Sequence, residues 1–291
     1  MELRQLKYFV TVATQLHFGK AAKLLDITQP ALSKQIRVLE TDLQVQLFFR
    51  SKRQVELTSA GKVFYQDARQ LLKQAEEAVE TARRTARGEA GKLIIGFTPT
   101  AMYSLLPKSI RRFKSLYPEV KIEMLQLSTE AQVTALALQK IDLGFLHPPI
   151  DSRGLELHPI FAEEFVVVLP QEHHLKDKRI LSLEDLAEES FILHSREEGK
   201  FLYDEFIQLC QKQGFQPRIT QETDSHQTRM CFVEAGIGIT FMPVGLKMLV
   251  SKNLICKAIT NFPLQLEFAA VWRSITMLQT LKNFLTILKT I

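Results

Sequence analysis

Five side chains stand where an α/β sheet would offer them to a small molecule. Thr98 and Thr100 follow the apolar run "KLIIGF", Ser128 and Thr129 follow "VKIEMLQL", and His147 follows "IDLGFL". Ligands of open α/β sheets bind at the carboxyl ends of the strands, and the first two clusters also stand just ahead of helical stretches. Hydroxyls and free backbone N–H groups at two helix starts suit a small anion such as a carboxylate. Taken singly, each threonine or serine reads equally well as a helix cap, and His147 as a packed or solvent-facing ring that could also donate to an anion. Their convergence at one sheet edge is what favours a site.

The chemistry available is binding, not catalysis. His173 and His174 are adjacent in a polar loop, but the chain has no HExxH, CxxC or GxSxG and no glycine-rich nucleotide-phosphate loop. No cofactor and no metal is implied. A repressor fused to an enzyme of the biotin-ligase kind would need that missing loop. A solute-binding protein serving a transporter would need a signal peptide, and the start "MELRQLKYFVTVA" reads instead as an amphipathic helix with Leu3, Leu6, Phe9, Val10 and Ala13 on one side. No apolar run approaches the roughly 18 residues that span a bilayer, so the chain is expected in the cytoplasm with no membrane partner.

A second group of polar residues lies in "AAKLLDITQPALSKQIRVLE", residues 21–40, which reads as helix, tight turn, helix, the second opening near Pro30. Leu32, Ile36, Leu39 and Leu43 recur at helical spacing as one buried stripe, which leaves Gln29, Ser33, Lys34 and Arg37 outward. Such a face, with Pro30 at its start, can enter a DNA major groove and meet base edges and phosphates. An amphipathic hairpin with a solvated outer face shares the pattern. Two β-like runs follow, around 47–49 and 55–57, joined by Arg50, Ser51, Lys52 and Arg53. They read as a wing, whose Arg50 and Arg53 would reach phosphates or the minor groove, or else as a solvated hairpin tip.

Charge sides with DNA. The formal charge is +5, and residues 1–90 carry 15 of the 37 basic and 10 of the 32 acidic residues, while the remainder balances at 22 of each. A basic excess confined to one domain is what phosphate neutralisation requires.

The elements that would position these residues follow from periodicity. Thr58 opens a long helix that Gly88 can end, and Phe64, Ala68, Leu71, Ala75, Ala78, Ala82 and Thr85 recur in steps of four and three, the period of a helix packed along another. The same helix of a second copy is the simplest partner, with packing on its own domain as the alternative. Beyond it, strand-like and helical runs alternate in two sets, and "LEFAAVW" and the last helix return to the first set. Crossovers near 162 and 267 would form a hinge. Cys210, Cys231 and Cys256 lie far apart in apolar surroundings and read as reduced, packed thiols.

The segments "LRQLKYFVTVA", "AAKLLDITQPALSKQIRVLE" and "LQVQLFFRSKRQVELTSAG", with the helix after them, resemble the DNA-binding domain of LysR-type transcriptional regulators. The resemblance implies an α/β protein with an N-terminal all-α winged helix-turn-helix, a long linker helix and a two-lobed, periplasmic-binding-protein-like α/β effector domain. Its expected bounds are 1–58 for the DNA-binding domain, 59–88 for the linker and dimerisation helix, and 91–291 for the effector domain. Lobe I would comprise 91–162 and 268–291, and lobe II 163–267. Promoter DNA, a homodimer or homotetramer, a small-molecule effector and RNA polymerase are the partners it implies.

"GFTPTAMYSLLP" and "STEAQVTAL" resemble the effector loops of family members that control aromatic-acid catabolism, such as the benzoate or muconate and phenylpropionate or cinnamate regulators. Thr98, Thr100, Ser128 and Thr129 carry over as effector-binding residues. An arginine common after the third strand is replaced by His147, and Phe201 is expected as an apolar wall from the second lobe. An aromatic carboxylate is the effector implied, with a non-aromatic small anion or metabolite as the alternative.

Overall fold

Leu6, Phe9, Val12 and Ala13 are spaced three and four apart and form the buried face of α1 (Leu3–Gln15). The computed structural model describes residues 1–50, 54–275 and 278–290, and the chain divides into two units, 1–86 and 87–291. Of the α1 stripe, Val10 is half-buried and packs against the first unit's core, while Leu3 is exposed. Gln5 is buried instead, because its side chain turns back to accept the Glu2 N–H at 2.9 Å and closes the helix start.

The small Ala21 and Ala22 are buried on α2 (Phe18–Leu24), which packs beside α3 (Gln29–Leu43). Thr28 caps α3 by accepting the Ala31 N–H, Pro30 lies in its first turn, and Leu32, Ile36 and Leu39 are fully buried, with Leu43 half-buried. A hairpin of β1 (Phe48–Arg50) and β2 (Val55–Leu57) follows, antiparallel with Phe48 opposite Leu57. The Glu40 carboxylate on α3 accepts the Leu47 and Phe48 N–H groups at 3.0 and 3.2 Å, tying hairpin to helix.

The long helix α4 (Ser59–Ala86) is capped by Thr58, whose hydroxyl accepts the Gly61 N–H at 2.9 Å and donates to the Gln46 carbonyl at 2.8 Å. A Cβ on Gly61 would lie 2.1 Å from the Leu47 carbonyl oxygen, so only glycine lets α4 cross the hairpin base so closely. Its first turns pack inward through Phe64, Ala68 and Leu72, with the Phe64 ring 5.0 Å from that of Phe9. Farther along, Ala78, Ala82 and Thr85 are exposed, and Ala75 is half-buried.

In the second unit, β3 (Ala90–Phe97) pairs in parallel with β4 (Glu119–Gln126) and β5 (Leu143–Leu146). The core on one side of this sheet joins Phe113 of α5 (Leu106–Leu116) and Phe284 of α9 (Gln279–Leu288), ring centroids 5.2 Å apart. A separate cluster includes Ala135 and Leu136 of α6 (Thr129–Ala137). The lobes are joined by β6 (Leu155–Pro170), a strand of 16 residues, and β12 (Gln265–Arg273), antiparallel along its length with Ala162 opposite Glu267 and a bulge at Phe268/Ala269.

Beyond this ribbon β6 pairs with β10 (Thr240–Pro243) and β11 (Leu254–Thr260), and β11 pairs in parallel with β7 (Ile180–Ser182). A parallel pair, β8 (Ser190–Leu193) and β9 (Arg218–Glu222), completes the second lobe with α7 (Lys200–Lys212) and α8 (His226–Glu234). Neither β7 nor β11 is evident from periodicity. The fold is α/β with an N-terminal winged helix-turn-helix, a long helix and a two-lobed α/β domain. Of the cysteines, Cys210 is buried and Cys256 half-buried, but Cys231 is exposed, so apolar packing does not hold for all three.

Candidate functional site

On α3 the buried stripe fixes what faces outward. Gln29, Pro30, Lys34 and Arg37 are exposed, and Ser33 is half-buried between the two faces. Lys34 and Arg37 have no ion-pair partner among the described residues, which leaves both cations available to phosphate. Arg50 ends β1; its side chain and the whole of Ser51, Lys52 and Arg53 lie outside the described residues.

In the second unit the hydroxyl clusters come together at one cleft of about 610 Å³ between the lobes, lined by Thr98, Thr100, Ser128, Thr129, His147 and Phe201 among others. Thr98 starts a 3-10 turn, 99–103, and Ser128 caps α6 by accepting the Ala131 N–H at 3.3 Å. Thr129 accepts the His147 N–H at 3.3 Å. The buried Gln132 amide donates to the Leu127 and Phe145 carbonyls at 3.0 and 3.1 Å, holding the loop before α6 against the end of β5.

The His147 ring settles the proton positions. Its Nδ1 lies 2.9 Å from the Glu267 carbonyl oxygen, which can only accept, so Nδ1 carries the hydrogen. Burial pushes the ring down to about 4, so it is neutral and Nε2 is a lone-pair acceptor. The Thr100 hydroxyl at 2.7 Å then donates to Nε2, and Thr98, 3.1 Å from both Thr100 Oγ and Nε2, donates into the same chain. Both ring nitrogens are used internally, so the geometry matches the packed ring and not the alternative of an imidazole N–H aimed at an anion, and among the described residues the Ser128 and Thr129 hydroxyls only accept. The ring links the strand-end cluster to β12 at Glu267, beside the ribbon that joins the lobes.

The positive charge comes from the other lobe. Arg229 on α8 lines the cleft and is 5% exposed. One guanidinium nitrogen donates to His226 Nδ1, another to the Phe241 carbonyl at 3.4 Å, and Nε has no partner. No carboxylate lies within ion-pair distance of it among the described residues. Burial lowers it only to about 10, so it stays charged. Burial and the neighbouring Arg229 push His226 down to about 3 and hold His194 below its ordinary value. The apolar lining includes Phe165, Phe201, Phe206, Phe241 and Phe262, with Phe201 half-exposed at the rim.

The strand-end rule, applied to the first lobe alone, misses Arg229, His226 and His194. The same rule applied to the second lobe would reach His194, which follows β8, and Ser225 and His226, which open α8 after β9, while Arg229 lies a turn further into that helix. Elsewhere His173, His174 and Glu189 bring ligand atoms within 4.8 Å of one another. His173 Nδ1 accepts the Leu175 N–H at 3.3 Å, which puts the ring hydrogen on Nε2, toward Glu189, where a metal would need a lone pair.

A winged helix-turn-helix with an outward polar helix face, followed by a two-lobed domain with a cleft between its lobes, defines a DNA-binding regulator carrying a substrate-binding type of domain. The family model "Bacterial regulatory helix-turn-helix protein, lysR family" matches residues 3–62, and "LysR substrate binding domain" matches residues 86–290. The HTH-type transcriptional regulator AlsR of Bacillus subtilis (strain 168) is 40% identical, over 99% of this chain and 95% of its own. The Hca operon transcriptional activator HcaR of Escherichia coli (strain K12) is 33% identical over 99% and 97%. The crystal structure of full-length CbnR complexed with its target DNA superposes with a TM-score of 0.87 at 28% identity, covering 100% of this chain and 99% of that one. The chain belongs to the LysR family of bacterial transcriptional regulators; it is a DNA-binding regulator and not an enzyme. No helix among the described residues is long and apolar enough to cross a membrane.

Proposed function

We propose that this regulator binds promoter DNA as a dimer of dimers and responds to a small organic acid, an aromatic carboxylate, to control catabolic genes. Gln29, Pro30, Ser33, Lys34 and Arg37 of α3 read the major groove, and Arg50 and Arg53 of the wing hold phosphate or the minor groove. Pairing through the outer turns of α4 brings two heads to the half-sites of an interrupted palindrome. Closure of the lobes on the acid resets the spacing of the heads, so the protein shifts on its DNA without leaving it, and RNA polymerase reads the change. Residues 1–58, 59–88 and 91–291 divide this labour as DNA reader, dimerisation helix and effector domain, with lobe I at 91–162 and 268–291 and lobe II at 163–267.

The observation that carries the effector reading is Arg229, a buried guanidinium without a carboxylate partner facing the Thr98, Thr100, Ser128, Thr129 and His147 cluster across the cleft. A buried unpaired charge costs several kcal/mol, a cost that an incoming anion removes. The phenylalanine lining supplies the apolar surface an aromatic body needs, and HcaR, the Hca operon activator, is among the relatives. Thermal unfolding tests the reading. Benzoate or cinnamate at a hundredfold excess over Kd is expected to stabilise the wild-type protein by about 2.7 kcal/mol, and benzyl alcohol to do nothing. Arg229→Met and Thr100→Val are expected to lose the shift while still retarding promoter DNA. Equal shifts in Arg229→Met and wild type would overturn the reading.

A further inference from the structure

We infer that His194 takes up a proton when an organic anion seats beside Arg229, so that the cleft binds its acid together with a hydrogen ion and holds it more tightly as the pH falls. The inference rests on the effector reading above. His194 follows β8 and stacks on His226, ring centroids 6.4 Å apart and planes within 7°. Its Nδ1 is buried and makes no hydrogen bond among the described residues. That nitrogen faces Asp224 Oδ1 at 3.6 Å. Protonation of the ring converts this contact into an ion pair between the imidazolium and the carboxylate.

The other two rings of the cleft cannot take the proton. His226 Nδ1 is occupied by the Arg229 guanidinium, and both nitrogens of His147 are engaged, by Glu267 and by the threonines. The charged and titratable groups that line the cleft with His194 are Arg229 and His226 from α8, Asp224 from the turn before it, His147 and Tyr103 from the first lobe, Glu198 ahead of α7, Lys200 and Tyr203 on it, and Glu130 from α6. Burial and Arg229 disfavour the imidazolium, while Asp224 favours it. An anion on Arg229 cancels the guanidinium's field at His194 and leaves Asp224 as the dominant charge beside the ring. Binding and protonation therefore reinforce each other, as linkage requires.

The test is calorimetric titration of the full chain with benzoate and with cinnamate at about pH 6 and about pH 8, each in two buffers of different ionisation enthalpy. The expected result is net proton uptake with affinity rising several-fold toward the lower pH, bounded at about tenfold per pH unit for one proton. His194→Gln is expected to flatten the pH profile and abolish the uptake. Equal affinity at both pH values with no uptake would overturn the inference and leave the effector reading standing. Uptake that persists in His194→Gln would overturn the assignment to His194. Binding of neither acid at either pH would overturn the effector reading and this inference with it.

Discussion

His147 organises the strand-end cluster with both of its ring nitrogens bonded inside the protein. Its Nδ1–H is spent on the Glu267 carbonyl and its Nε2 on Thr100, so it orients hydroxyls and connects them to the inter-lobe ribbon. The same burial makes the protein acid-sensitive. His147 and His226 are held down to about 4 and about 3, well below the roughly 6.5 of an unfolded histidine. Their neutral forms therefore stabilise the fold fully above about pH 6.5, and that stability is lost as the pH falls toward about 4 for His147 and about 3 for His226, by roughly 3 and 5 kcal/mol. Melting temperature followed from about pH 7.5 to about pH 5 is expected to fall, and to fall less steeply in His147→Gln; a flat profile in the wild type would refute the buried neutral rings. The threonines and serine of this site are legible in the sequence because strand ends can be found by counting. Arg229 is not, because one arginine in a short polar helix reads as a solvated charge until the fold tucks α8 beside β10.

Among the elements, α1, α3 and α4 are legible because a helix carries its own period: Leu32, Ile36 and Leu39 declare the buried face of α3 without reference to anything distant. Leu3 misleads because the stripe begins at Gln5 and Leu6, leaving the first residue of α1 in solvent. The ribbon is harder to read. In β6 the half from Leu155 to Ala162 is partly open on both faces, so no clean alternation marks it, and β11 contacts a strand some ninety residues earlier, Lys257 opposite Val167. The outer half of α4 makes its own prediction, since Ala78, Ala82 and Thr85 stay exposed on a stripe with coiled-coil spacing. Ala78→Glu sets like charges against each other if two copies pair there. Sedimentation is expected to show a shift toward monomer and weaker binding to a palindromic site, with the melting temperature little changed. An unchanged mass would remove α4 from the interface.

At the scale of the whole molecule, a basic N-terminal domain is followed by a charge-balanced two-lobed domain, and the proposed function gives DNA to the first and a small acid to the second. The first task needs exposed cations on a rigid helix, and the second needs a buried cation and oriented hydroxyls in a cleft. The central claim is that acid bound in the cleft changes how the heads sit on DNA. The most direct measurement is a DNase footprint on the region upstream of the protein's own gene, with and without benzoate and cinnamate, at a fixed moderate salt concentration. Protection over two or more helical turns, whose extent changes with an acid in the wild type and not in Arg229→Met, is the result expected. Protection of the same extent with and without every acid would contradict it.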